Sequence, residues 1–122
     1  MNKYLNKKTV IDGITFDSRK EARFYMIYKQ MEKDGEISDL KMQVPFELIP
    51  PIYKDEVKHL KTKDKVVKKL VQRAVHYVAD FVFTDNLTGN TEVVDTKGFR
   101  TKEYMLKKKM MLAFKNIEIK EV

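Results

Sequence analysis

The chain contains no cysteine. That excludes disulfides, thiolate chemistry and cysteine-held zinc. Histidine is nearly as scarce: His59 and His76 are the only two, and alone they cannot make a multi-histidine metal centre. Any bound metal must be held mostly by oxygen, which points to Mg²⁺ or Mn²⁺. Long apolar runs are missing as well. No stretch approaches the ~18–20 residues of a membrane span, so no membrane partner is expected. Residues 1–6 lack the apolar centre of a secretion signal. These absences together predict a cytoplasmic protein. No internal repeat and no low-complexity segment is present.

What the chain has in excess is positive charge. Lys and Arg number 25 against 18 Asp and Glu, a formal net charge of +7 and a pI near 9.5. A basic balance favours a polyanionic partner, nucleic acid first and an acidic membrane surface second. The competing reading is a solvated, lysine-rich surface. With 122 residues, 43% of them apolar, the chain is long enough for one core and one domain. Residues 1–9 read as a polar, basic, flexible arm, and residues 10–122 as the single domain.

Residues 10–16 read as a tight hairpin turning at Asp12-Gly13. Ser18 caps a helix running to about Asp34, with Gly35 as its stop, and Phe24, Ile27, Tyr28 and Met31 follow helical spacing. Tyr25 and Tyr28 belong to the core or its rim rather than to a base-stacking platform. Residues 44–49 form a strand, where Pro45 implies an edge or a bulge. Residues 53–73 fit a helix through Val66, Val67, Leu70, Val71 and Ala74. They also fit a long strand leading into residues 76–83, with a turn at residues 61–64; the strand is preferred. Residues 77–83 and 91–95 are strands around a turn-rich segment, residues 84–90. Thr101 opens a second helix to about Phe114, with Leu106, Met110 and Ala113 or Phe114 as its buried stripe. Residues 116–122 alternate as a final strand. The order is β–β–α–β–β–β–α–β, a mixed α+β chain.

If the turn after residue 83 is symmetric about Leu87 and Thr88, Asp80 lies opposite Asp95. Like charges facing across a ladder destabilise it, so a chain that places them there invites a divalent cation between them. Lys97 shares a strand face with Asp95 and can orient or deprotonate a metal-bound water, and the Thr96 carbonyl can add an oxygen ligand. The competing reading is a surface charge pair. Glu21 is a third acid. It also fits a capping box with Ser18, its carboxylate reaching back to the Ser18 amide. His76, four residues before Asp80, can meet a phosphate or simply pack. Arg100 and Lys102 flank the start of the second helix, a natural phosphate site. Lys68, Lys69, Arg73 and their basic neighbours can track a nucleic-acid backbone.

The runs Ser18-x-x-Glu21-Ala22, Tyr77-x-Ala79-Asp80-Phe81 and Val93-Val94-Asp95-x-Lys97-Gly98 resemble the PD-(D/E)xK nuclease superfamily, and within it small phage and prophage proteins. The resemblance covers about residues 10–122. It implies a restriction-endonuclease-like core, a mixed sheet flanked by two main helices, in a protein of the bacterial host cytoplasm. It makes Asp80 and Asp95 metal ligands, Lys97 the catalytic lysine, and Glu21 the helix acid that completes the site. Ala79 stands where the superfamily name expects proline, and Asp95 where many members carry glutamate. The implied activity is Mg²⁺-dependent DNA endonuclease action in phage DNA replication, recombination or processing, with branched DNA among the open substrates. A homodimer is left open, because nucleases this small often act in pairs. The alternative is a non-catalytic nucleic-acid-binding protein on a degenerate nuclease fold.

Overall fold

The computed structural model describes residues 8–96 and 99–122. It is a mixed α+β chain, with strands β1 (Thr9–Ile11) and β2 (Ile14–Phe16), helix α1 (Arg19–Lys33), strands β3 (Ile37–Ile49), β4 (Ile52–His59), β5 (Asp64–Gln72), β6 (Val75–Asp85) and β7 (Thr91–Asp95), helix α2 (Lys102–Lys115) and strand β8 (Lys120–Glu121). The main sheet has the order β3-β6-β7-β8. Its first two pairings are antiparallel and β7–β8 is parallel. The pairs β1–β2 and β4–β5 form separate two-stranded sheets. Among the described residues no helix is long and apolar enough to cross a membrane.

Local chemistry explains the first third of the chain. Asp12 and Gly13 both have positive φ, 52° and 76°, as a type I′ hairpin turn requires. Thr9 pairs with Phe16, so the flexible arm expected over residues 1–9 does not include Thr9; its pairing with β2 takes it into the sheet. Lys8, just before it, is exposed, and residues 1–7 of the arm lie outside the described residues. The Ser18 hydroxyl accepts the Glu21 amide at 3.1 Å and opens α1. At the other end Gly35 takes φ 81°, and its amide and that of Glu36 return to the carbonyls of Glu32 and Met31. That is a Schellman stop, which needs a left-handed residue after the cap.

Two groups of buried residues form the core. Ala22, Tyr25 and Tyr28 of α1 pack with Phe16, Ile37, Phe81, Phe83 and Val94. Tyr104 and Met111 of α2 pack with Leu48, Tyr77, Ala79, Val93 and Ile119. Tyr25 and Tyr28 are thus core residues, while Ile27, expected on the apolar stripe, is exposed. The stripe of α2 is also rotated from expectation. Leu106 and Phe114 face outward, Ala113 is exposed and Met110 is only partly covered, whereas Tyr104 and Met111 are buried. Apolar residues lie around much of this helix, so periodicity alone does not select the inward face.

The strands differ from expectation in length and number. Strand β3 begins at Ile37, seven residues before the expected start at Val44, with a register shift between Ser38 and Lys41. Pro45 sits on this edge strand opposite Val78, where a missing amide costs no ladder bond on the open side. Residues 53–73 are extended, but as a hairpin of β4 and β5 that ends at Gln72, separate from β6. The final strand shortens to Lys120–Glu121, since parallel pairing with β7 engages only Val94 and Asp95.

Candidate active site

Three strands bring acids to one level of the sheet. Gln43 lies between the pairs Met42↔Phe81 and Val44↔Ala79, which puts it opposite Asp80. Asp80 and Asp95 lie one step past the last β6–β7 pair, Phe81↔Val94, in the register expected from a turn centred on Leu87 and Thr88. Asp95 in turn pairs with Glu121 on β8. Gln43, Asp80, Asp95 and Glu121 therefore occupy four successive strands at one level. The fourth acid comes from α1, whose first turn carries Glu21.

Hydrogen bonds tie these groups together. The Gln43 side-chain amide donates to Glu21 Oε1 at 2.8 Å and to Asp80 Oδ1 at 3.4 Å. Asp80 Oδ2 accepts both the Thr96 amide, at 2.9 Å, and the Thr96 hydroxyl, at 2.7 Å. The Tyr77 hydroxyl donates to Asp95 Oδ2 at 2.6 Å. Asp95 is 1% exposed and Glu21 8%, so both carboxylates are held where water screens poorly. Burial pushes the Glu21 carboxyl up to about 7, and the charges of Asp80, Asp17 and Asp95 push the same way against the Gln43 hydrogen bond. The Tyr77 hydroxyl is pushed well above its ordinary range, first by burial and then by its bond to Asp95.

Glu21 separates its two roles. Its backbone amide satisfies the Ser18 cap, while its carboxylate bonds to Gln43. The Ser18 half of the expected capping box is present, while the Glu21 carboxylate turns to Gln43 instead of back to the Ser18 amide. Gln43 itself was not legible as a site residue. Its φ is 52°, a left-handed conformation that costs a non-glycine residue roughly 1 kcal/mol. A glutamine within a strand carries no local signature of that geometry. At Thr96, expected to offer its carbonyl, the structure shows the amide and hydroxyl instead donating to Asp80.

The cationic candidates distribute unevenly. Lys97 lies outside the described residues. Arg100 pairs with Glu121 at 2.6 Å and Lys108 with the same carboxylate at 3.2 Å, and the Tyr104 hydroxyl donates to it at 2.7 Å. That bond to Tyr104, ahead of the two cations, draws the Glu121 carboxyl below its usual range. Lys102 is exposed at the start of α2, beside the cap that the Thr101 hydroxyl makes with the Tyr104 amide. His76 lies 3.9 Å from Glu47, its cross-strand partner. Lys68 and Lys69 stand on β5, paired with Asp55 at 2.7 Å and Glu56 at 3.8 Å, and Arg73 follows that strand, exposed. These three cations stand apart from the hydrogen bonds that join Glu21, Asp80 and Asp95 to their donors.

The donor set is all carboxylate oxygen, with no thiolate or imidazole in it, which fits a hard divalent cation. After burial, the charges of Asp80 and Asp95 push on the Glu21 carboxyl, and a cation would relieve that repulsion. Among the described residues the acids are not gathered as a ready-made group of three ligands; they rest on the donors of Gln43, Thr96 and Tyr77.

Fold and site together define a mixed α+β chain in which Glu21 of α1 and Asp80 of β6 share the Gln43 amide, with buried Asp95 in register beside Asp80. The whole chain, residues 1–122, matches the family described as protein of unknown function, DUF1064, and it belongs to that family. No curated protein and no solved structure matches it.

Proposed function

We propose that this chain is a Mg²⁺- or Mn²⁺-dependent nuclease, on a restriction-endonuclease-like core, that hydrolyses phosphodiester bonds in DNA. The observation that carries the reading is the Gln43 amide, which touches Glu21 of α1 and Asp80 of β6 at once, with Asp95 in register beside Asp80. Buried like charges at one point cost stability in the metal-free chain, and cation binding gives a physical reason to keep them. The resemblance to PD-(D/E)xK nucleases in the runs around Glu21, Asp80 and Asp95 supports the same reading.

In this reading Glu21, Asp80 and Asp95 hold the cation. When bound, the ion supplies Lewis acidity and lowers the pKa of a coordinated water. Gln43 orients two of the acids, Tyr77 fixes the third, and Thr96 holds Asp80 through its amide and hydroxyl. Lys97, two residues beyond Asp95, is the cation assigned to the attacking water and the developing phosphate charge.

The test is nicking of supercoiled DNA together with metal binding followed by calorimetry. Mg²⁺ or Mn²⁺ is expected to support nicking and EDTA to abolish it, while Ca²⁺ supports binding with little hydrolysis. Asp80→Asn, Asp95→Asn and Lys97→Ala each lower cleavage by orders of magnitude, and the two aspartate variants also weaken metal binding. Undiminished cleavage in EDTA would overturn the metal assignment. A non-catalytic DNA-binding protein on a degenerate nuclease fold is the second reading, favoured by the carboxylates' existing bonds to Gln43, Thr96 and Tyr77. DNA binding without nicking in any of these metals would select it.

A further inference from the structure

Strands β4 and β5 form a ribbon in which every residue is exposed except the intermediate Glu56 and Val67. Its register sorts the side chains sharply, because directly opposed residues share a face. One face carries Tyr53↔Leu70, Asp55↔Lys68, Val57↔Val66 and His59↔Asp64. It is held by two apolar cross-strand pairs, the Asp55–Lys68 ion pair at 2.7 Å and a 2.9 Å contact between His59 and Asp64. The other face carries Lys54↔Lys69, Glu56↔Val67 and Lys58↔Lys65. Four lysines meet there with one acid, Glu56, whose carboxylate is 3.8 Å from Lys69.

Lysine directly opposite lysine destabilises a ladder, and here it happens twice. A two-stranded ribbon alone is already marginal in water. The arrangement costs stability in the free chain and becomes favourable against a polyanion. Its dimensions also fit one. Opposed Cβ atoms are ~5 Å apart, and Lys54 and Lys58 are separated by roughly 13 Å along the strand, a length that spans about four phosphates of one DNA strand. A two-stranded ribbon is narrow enough to enter the roughly 12 Å major groove. Lysines act as point charges rather than as readers of base edges, so this surface carries affinity without sequence preference.

The ribbon is also joined in the chain to the strands of the acid site. It leaves the sheet between β3 and β6, the strands that carry Gln43 and Asp80. From Val75, where β6 begins, Asp80 is five residues on, roughly 17 Å of strand. We propose that the β4–β5 ribbon is a DNA-binding arm whose Lys54, Lys58, Lys65 and Lys69 face lies on the phosphates of duplex DNA and presents them to the acid cluster. This deepens the nuclease reading and rests on it for the choice of DNA.

The test measures duplex DNA binding in EDTA across a salt series, so no cleavage enters the result. In the variant K54Q/K58Q/K65Q/K69Q the log–log salt dependence is expected to flatten by about 3–4, at ~0.9 for each phosphate that is no longer neutralised. The variant K54R/K58R/K65R/K69R is expected to bind like the wild type. A charge-matched control, K29Q/K33Q/K109Q/K115Q, replaces lysines of α1 and α2 that are exposed and is expected to shift the slope far less. The four lysines belong to neither group of core residues, so thermal melting is expected to show a folded glutamine variant at least as stable as wild type. An unchanged slope in the ribbon variant would overturn the proposal. So would an equal change in the control, or weakened binding confined to vesicles containing phosphatidylserine. If the wild type never cleaves DNA while the ribbon variant binds it poorly, the nuclease reading fails and the arm stands.

Discussion

Glu21→Gln separates the cost of the acid cluster from its use. The folded chain holds the Glu21 carboxyl at about 7 against an ordinary 4.5, chiefly by burial and then by the neighbouring aspartates. The folded state therefore binds this proton more tightly than the unfolded state does. Below pH 4.5 both states are protonated and the penalty is absent. As pH rises from 4.5 through 7 the unfolded chain ionises first, and stability falls. Above 7 the penalty is complete, and a shift of that size corresponds to roughly 3 kcal/mol. Residual solvation of the site brings the expected value to about 2–3 kcal/mol. Glutamine keeps an oxygen that can accept from the Gln43 amide, and the Ser18 cap survives because it uses the backbone amide of residue 21. The variant should thus match wild type at pH 4 and exceed it at pH 8, by about 8–12 °C in melting temperature for a domain of this size. The assay is thermal unfolding of both proteins in EDTA at the two pH values. Adding Mg²⁺ should stabilise wild type more than the variant and narrow the gap. Cleavage by the variant should fall at least tenfold, about 1.4 kcal/mol of transition-state stabilisation. A variant no more stable than wild type at pH 8 would refute the electrostatic argument.

Further tests address the supporting residues. At Gln43, whose φ is 52°, glycine should be more stable than alanine by about 1 kcal/mol in urea denaturation, while both remove the bridging amide and weaken metal binding; alanine equal to glycine would remove the strain. Tyr77→Phe deletes the hydroxyl that donates to buried Asp95 and should cost about 1.5–3 kcal/mol at neutral pH, so an unchanged urea midpoint would show that Asp95 does not depend on this bond. Ser18→Ala should cost about 1 kcal/mol through the α1 cap and leave metal affinity unchanged, and a parallel drop in metal affinity would mean that the cap also positions the Glu21 carboxylate.

Local signals were legible wherever a short segment decides its own conformation. Asp12-Gly13 specifies a primed turn by tolerating positive φ, Ser18 and Gly35 bound α1 by satisfying its end groups, and the turn around Leu87 and Thr88 sets the level at which Asp80 meets Asp95. These depend on backbone chemistry within a few residues, and sequence contains all of it. The inward face of α2 depended on what packs against it: apolar side chains surround the helix, and the packing of Tyr104 and Met111 chose among them. The length of β3 and the left-handed Gln43 followed from pairing with β6, whose partner residues lie 26 to 48 positions away in the chain, from Ile49↔Val75 to Ile37↔Asp85. The lysine face of the ribbon required the register between β4 and β5, since a slip of one residue would scatter the same lysines over both faces. By itself, then, the sequence determined the caps, the turns and the acids that could meet. Tertiary structure decided which side chains orient those acids, because hydrogen-bond partners distant in the chain are chosen by strand pairing and helix packing, neither of which a local pattern contains.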